Sequence, residues 1–338
     1  MQDLNFDRHV AEQPAVVEGL LATDEAPALD PARPVVLTGI GTSLHACRVA
    51  ADWIDIVSEG HVRATAVNAH DLALGRGLRS IDQIIVVSHR GTKRYPNEVL
   101  RRASAAGCAT VAVTGLGDVS PAADVVLRTC AQERASTHTV SYTAALTVLA
   151  RLVCGLLGDR AAVFADALRH VPGDMARSLD MPVAEDAAKA MAAMSDEPGI
   201  VTGTGLDAIT AAEAALKIKE GTYRWFEGMH AEFALHGTPA VFRPGMVAFL
   251  IRPAGDDGGR YHDLRGLLGA IGARVFECSD DGGAALRFAP THPLTRPFVS
   301  ILPFHRLVST AAKRLGANPD LTHMETEPWK SAVLAVTL

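Results

Sequence analysis

Short apolar runs that end in a glycine- or serine-bearing turn and hand over to an amphipathic helix recur along this chain, and few folds accept that pattern. Residues 35–38 form such a run; Gly39-Ile40-Gly41-Thr42-Ser43 comes next, then a helical pattern over 45–57. Residues 84–87 form a second, with Ser88-His89-Arg90-Gly91-Thr92-Lys93-Arg94 behind it and a helical pattern from about 96 to 106. Runs at 110–114 and 124–127 complete the first half. A helical tract spans about 139 to 195, after which the alternation starts again: strands at 199–203, 247–251 and 273–277, helices at 207–221, 264–271 and about 300–315. Strands alternating with helices of 10–15 residues predict parallel sheets with helices on both faces. The expected fold is therefore α/β, two doubly wound parallel-sheet domains of the three-layer α/β/α, flavodoxin-like kind, over residues 1–180 and 181–338. Ligands of such sheets bind outside the carboxyl ends of the strands, where these polar turns lie.

Composition narrows the partners. The 338 residues are 48% hydrophobic and 21% charged, with a formal charge of −6. That leaves no electrostatic footprint for nucleic acid or an anionic membrane. The five cysteines, an odd number, have no metal-type spacing, so neither a disulfide framework nor a zinc site is expected, and a reducing cytoplasm suits them. The polar start MQDLNFDRHVAEQP is unlike a signal peptide. The most apolar long stretch, 140–158, carries Arg151 among Ser and Thr positions and reads as a buried helix, not a membrane span.

Three segments carry chemistry. In the turn Gly39–Ser43, backbone N–H groups at a helix start, with the hydroxyls of Thr42 and Ser43 beside Gly41, predict an anion site. A dinucleotide fingerprint is the rival, but Leu44 stands where a third glycine is needed. Gly203-Thr204-Gly205-Leu206-Asp207-Ala208 fits that fingerprint better, yet no strand ending in an acidic residue lies about twenty positions on. The second turn offers Ser88, His89, Gly91 and Thr92 with the cations Arg90 and Lys93, suited to a phosphate or sulfonate, although basic residues are also ordinary in a solvated turn. In AAEAALKIKEGTYRWFEGMHAEFALHG, Glu213, Lys217 and Glu220 fall on one helical stripe, with His236 in the turn beyond. A carboxylate base and a histidine are what carbonyl–enol proton shuttling needs. Glu–Lys pairs at this spacing are also usual surface decoration. His230 and His236 lack a third ligand in register, so no metal is expected, and no cofactor.

Taken in order, these segments resemble the sugar isomerase (SIS) domain family, in the two-domain arrangement of the isomerase half of glutamine–fructose-6-phosphate amidotransferase. GIGTSLHACRVAADWI is similar to the family's first phosphate turn and helix, and VVSHRGTKRYPNEVLRRASAAGCATVAVTG to its second turn, helix and strand. ERASTHTVSYTAAL, which holds Ser136, looks like a segment of the ketose-phosphate isomerase/deaminase branch. The Glu213–His236 stretch resembles EGALKLKE…HGP, with the same 16-residue separation between Glu220 and His236. The resemblance implies that Glu220 moves the proton between C1 and C2. It implies that His236 opens the sugar ring across a dimer interface, that Lys217 and Glu213 belong to the same site, and that Thr42, Ser43 and Ser88 hold phosphate. EPWKSAV resembles the family tail, whose lysine reaches the sugar; the resemblance, with an insertion after Asn318-Pro319-Asp320, makes Lys330 the candidate for that lysine.

Two departures stand out. The family's second turn reads SxSGxT, whereas Arg90 and Lys93 here replace two hydroxyl donors with two cations. HGTP replaces HGP, and the acidic residue before the histidine is Glu232. The expected function is a phosphosugar aldose–ketose isomerase working through an enediol, or an isomerising deaminase of an amino-sugar phosphate, as a cytoplasmic homodimer with a shared active site. The alternative is a phosphosugar-binding regulator without turnover, against which stands the presence of both Glu220 and His236.

Overall fold

The computed structural model describes residues 4–336 except 24–26, 28 and 196. In chain order the elements are α1 (Asn5–Leu21), β1 (Val35–Gly39), α2 (Thr42–Ser58), β2 (Ala64–Asn68), α3 (Ala69–Leu74), β3 (Gln83–Val87), α4 (Arg94–Ala105), β4 (Ala109–Thr114), β5 (Val125–Arg128), α5 (Val140–Leu157), α6 (Ala162–Leu179) and α7 (Glu185–Ala192). They continue with β6 (Gly199–Gly203), α8 (Leu206–Thr222), β7 (Phe226–His230), α9 (Ala231–Leu235), β8 (Val247–Ile251), α10 (Arg260–Ile271), β9 (Arg274–Ser279), β10 (Leu286–Arg287), α11 (Arg296–Val299), α12 (Leu302–Leu315) and α13 (Trp329–Leu334). The chain forms two compact units. An N-terminal unit comprises Glu12–Glu133, Thr139–His170 and Ser331–Leu338, and a C-terminal unit Met1–Ala11, Arg134–His138 and Val171–Lys330.

Each unit is built on one five-stranded, wholly parallel sheet. The N-terminal order is β2-β1-β3-β4-β5 and the C-terminal order, read from its edge, β7-β6-β8-β9-β10. Both are second-first-third-fourth-fifth, so both are the expected doubly wound fold. The third strand crosses to the other side of the first, and the crevice opens between their carboxyl ends. Central strands are buried along their length, as QIIVV in β3 and VAFLI in β8 show, because helices cover both faces. In the N-terminal unit α3 and α4 pack Leu72, Ala73, Val99, Leu100 and Ala103 on one face of the sheet; α2 and α5 pack together. Fifteen of the 18 residues of α5 are buried, so its apolar composition is that of a core helix.

In the C-terminal unit α9 and α10 share a core with β6 and β8, while α8 packs on β6 and β7 and against α12. Gly228 of β7 permits that seat: a Cβ there would lie 2.4 Å from the Ala211 carbonyl oxygen of α8. Gly221 does the same on the other side, since its Cβ would meet Val308 of α12 at 2.3 Å. Helix α8 is thus held between a strand and a helix.

The first βα turns of the two units are conformational copies. Gly41 has φ 56° and ψ −127°, and Gly205 φ 52° and ψ −130°, a backbone that side chains with a Cβ rarely adopt. The residue two places further on differs. The position of Ser43 in the first turn is taken in the second by Asp207, a buried carboxylate that accepts from Arg296 Nε at 2.9 Å. Burial pushes the Asp207 carboxyl up and the Arg296 guanidinium pulls it down, burial being the larger influence. Replacing Asp207 with Ala leaves the Arg296 cation buried and uncompensated and should cost about 3–5 kcal/mol in urea denaturation. A D207A/R296M double variant should recover most of that loss; equal losses in both would mean the pair does not hold this turn.

Candidate functional site

In the N-terminal unit β1 and β3 are neighbours, and the two candidate turns leave their carboxyl ends at the switch point. Gly41, Thr42 and Ser43 open α2, with the Ser43 N–H donating to the Ile40 carbonyl at 3.2 Å. Ser88 directly follows β3; its carbonyl accepts from the Gly91 N–H at 3.0 Å, which folds the second turn on itself. Gly91 has φ 68°, and a Cβ there would crowd Val119 and Thr114 at 3.0 and 3.1 Å. His89 anchors the turn. Its carbonyl accepts from the Gly115 N–H at 2.9 Å, and its Nε2 accepts from the Glu133 N–H at 3.2 Å. The buried Glu133 carboxylate accepts in turn from the N–H groups of Thr139 and Ser141 at the start of α5. A carboxylate at a helix N-terminus is favoured by the helix dipole. The second turn is therefore fixed to two further elements, and Glu133 is a support that no sequence motif marks.

Arg90 is exposed and Lys93 partly so, and neither has a carboxylate within ion-pair distance among the described residues. Lys93 is the N-cap of α4, at the positive end of a helix. Partial burial, and then the neighbouring Arg90, push its ammonium below the ordinary lysine value. Two cations and a helix start share one turn, where an arriving anion would relieve their repulsion. At the corresponding crevice of the C-terminal unit Asp207 stands in the first turn, paired with Arg296, and Asp256 and Asp257 cap the third-strand loop, beside Arg252 and His262, by accepting from Gly258, Gly259 and Tyr261 N–H groups. Arg252 and Arg296 there are matched by Asp281 and Asp207, whereas Arg90 and Lys93 of the N-terminal crevice have no such partner among the described residues.

Helix α8 of the C-terminal unit holds the second candidate cluster. Lys217 Nζ donates to Glu220 Oε2 at 2.6 Å and lies 3.5 Å from Glu213 Oε1. Glu213 and Lys217 are fully buried, whereas Glu220 keeps 32% of its side chain exposed. Bringing an ammonium out of water costs several kcal/mol unless carboxylates accompany it, and such arrangements concentrate at functional sites. His305 of α12, also fully buried, faces this cluster electrostatically. Burial lowers its imidazole to about 3, Glu213 opposing and Lys217 adding to the effect. A lone histidine on an apolar helix face gives no sequence signal, and sequence reasoning passes over it.

Three further candidates have other settings. His236 is 79% exposed, and its ring pairs with Glu232 at 3.0 Å. Ser136 belongs to a short segment of the C-terminal unit, its N–H donating to the Asp320 carbonyl at 2.9 Å. Lys330 is exposed, in the first turn of α13. Among the described residues no group of three or more His, Cys, Asp or Glu side chains is placed to hold a metal ion.

Together these features define a doubly wound α/β protein with an anion-suited switch point in one unit and a buried carboxylate–ammonium array in the other. Residues 28–154 match the family model of the SIS domain, and the second half of the chain repeats the sheet order of the first. The chain is 27% identical over 319 residues to the isomerizing glutamine–fructose-6-phosphate aminotransferase of Symbiobacterium thermophilum, covering 85% of this chain and 50% of that protein. It thus spans about half the length of the curated relatives it matches. Among solved structures, the C-terminal domain of glucosamine-fructose-6-phosphate aminotransferase from Francisella tularensis superposes with a TM-score of 0.83 at 18% identity, over 94% of this chain and 98% of that one. Glucosamine-6-phosphate deaminase from Thermotoga maritima gives 0.74 at 18% identity, over 94% and 97%. The fold is that of the phosphosugar isomerases and deaminases.

The buried histidine makes stability depend on pH. With the folded value at about 3 and the ordinary value at 6.5, the unfolded chain binds a proton between these limits that the folded chain does not. Stability should therefore fall as pH drops through that window, by up to about 1.4 kcal/mol per pH unit from this residue. Denaturation midpoints at a series of pH values should show a shallower acid slope in His305→Leu than in the native chain.

Proposed function

We propose that this protein is an isomerase of a phosphorylated sugar, moving a proton between C1 and C2 through an enediol. The observation that carries this reading is the Glu213–Lys217–Glu220 array, in which only Glu220 reaches solvent. Glu220 takes the C2 proton of the open-chain aldose. The C–H electron pair becomes the C1–C2 double bond while the C1 carbonyl pair moves to O1, which takes a proton to give the enediol; loss of the O2 proton then forms the C2 carbonyl as the first proton is returned at C1, giving the ketose. Lys217 orients the Glu220 carboxylate by donating to it, and Glu213 balances the lysine charge. The N-terminal crevice taken by itself, where Arg90 and Lys93 supply charge in place of hydroxyls, is suited to a phosphoryl group. With a 2-amino sugar the same intermediate is an enolamine; protonation at C1 gives a C2 imine, and water adding to C2 breaks the C–N bond to release ammonia and the ketose, which is isomerising deamination. The relatives' names, an isomerizing aminotransferase of fructose 6-phosphate and a deaminase of glucosamine 6-phosphate, support the substrate class. The exposure of His236 supports a homodimer in which this ring opens the sugar bound by its partner.

The test is deuterium wash-in at C1 of fructose 6-phosphate and at C2 of glucose 6-phosphate and glucosamine 6-phosphate, followed by NMR, beside thermal shifts with the same sugars. Exchange should occur with at least one of them, and Glu220→Gln should reduce it by about 10²–10⁴-fold while binding persists. Binding without exchange would make the chain a phosphosugar sensor instead. Unchanged exchange in the variant would remove Glu220 from the reaction.

The cations give a separate expectation. Replacing Arg90 and Lys93 together with alanine should weaken phosphosugar binding by about 10–100-fold, one or two charge-assisted hydrogen bonds' worth. Unphosphorylated sugars, titrated in parallel by calorimetry, should be unaffected.

A further inference from the structure

The end of α8 is joined to the tail by a stack of three rings. Tyr223, the residue that caps α8, stacks on His323 with ring centroids 3.6 Å apart and planes inclined by 25°. His323 stacks in turn on Trp329 at 4.3 Å and 14°. The Tyr223 hydroxyl donates to the Asn318 carbonyl at 3.1 Å and accepts from the N–H groups of Asn318 and His323 at 3.2 and 3.1 Å. That uses its one proton and both lone pairs. Tyr223, Thr322 and His323 all have left-handed backbone, with φ of 60°, 48° and 64°. Among the described non-glycine residues only Glu59 shares that conformation. Such backbone persists where the surroundings over-determine it, and it clusters at functional sites. Glu220 lies three residues before Tyr223, and Lys330 comes directly after Trp329.

We infer that Tyr223, His323 and Trp329 form a latch that fixes the Lys330 segment to the end of the helix carrying Glu220, and that they are positioning residues for the reaction. This deepens the proposed function and rests on it for the part given to Lys330. The latch is aromatic and hydrogen-bonded and needs no charge on the imidazole. Its central ring should therefore be replaceable by another ring but not by a polar side chain of similar backbone preference.

The decisive variants are His323→Asn, which tolerates the left-handed backbone but removes the ring, and His323→Phe, which keeps a ring. Trypsin cleavage after Lys330, tracked by mass spectrometry on the full chain, should be faster in His323→Asn than in the native protein and near native in His323→Phe. Equal rates in all three would overturn the latch. With whichever of fructose 6-phosphate and glucosamine 6-phosphate exchanges deuterium, His323→Asn should lower kcat by about 100-fold, as a misplaced group does, with KM little changed. Lys330→Ala should lower kcat as much, and the double variant should lose no more than either single one. Independent, multiplying losses would overturn the positioning role. If neither sugar exchanges with the native protein, the reading of the function falls and the role of Lys330 with it, while the trypsin comparison still decides whether the latch holds the tail.

Discussion

An ammonium group buried away from water must bring its counter-charges with it, and in this chain that requirement organises the C-terminal unit. Lys217 has carboxylates one turn to either side on the same helix, Glu213 enclosed and Glu220 at the water's edge. A helix bearing three charged groups on one stripe would normally turn that stripe outward. Here α8 is packed on other faces as well: Gly228 lets β7 approach it at Ala211, and Gly221 lets α12 approach it at Val308. With neighbours this close the helix has little surface left to expose, and the paired carboxylates keep the enclosed ammonium from being too costly.

Much of this was legible in the sequence, and the failures have physical causes. Strands β1, β3, β6 and β8 stood out because a central parallel strand is buried on both faces and reads as an unbroken apolar run. β2 and β7 did not, since ATAVN and FEGMH are edge strands with only part of their side chains enclosed. Helix α1 gives no clear signal because its sequence is polar and interrupted by Pro14. At the candidate site, spacing alone put Glu213, Lys217 and Glu220 on one stripe. It could not say that the stripe faces inward, because i, i+4 pairs look the same on a surface. His305 and Tyr223 act through tertiary contacts with segments far away in the chain, which local periodicity does not encode.

The two units also show how far two turns of one backbone can differ in charge. Their first turns share glycine positions, backbone angles and the helix start behind them. The sheets that carry them have the same order. The N-terminal crevice carries cations that have no carboxylate partner among the described residues, and the C-terminal one carries Asp207 with Asp256 and Asp257 in the loop beside it. Fold alone would give both units the same capacity; side-chain charge distinguishes them.

Asp207 is a counter-ion built into the chain. It stands two places after the second glycine, at the position that Ser43 holds in the counterpart turn, buried and matched with Arg296. Being part of the chain, it is present at full occupancy whatever the solution holds. A repeated fold can therefore give two turns of the same backbone different electrostatics: one acidic residue at that place, with one arginine to receive it, writes a fixed ion pair into one unit and leaves the other without it.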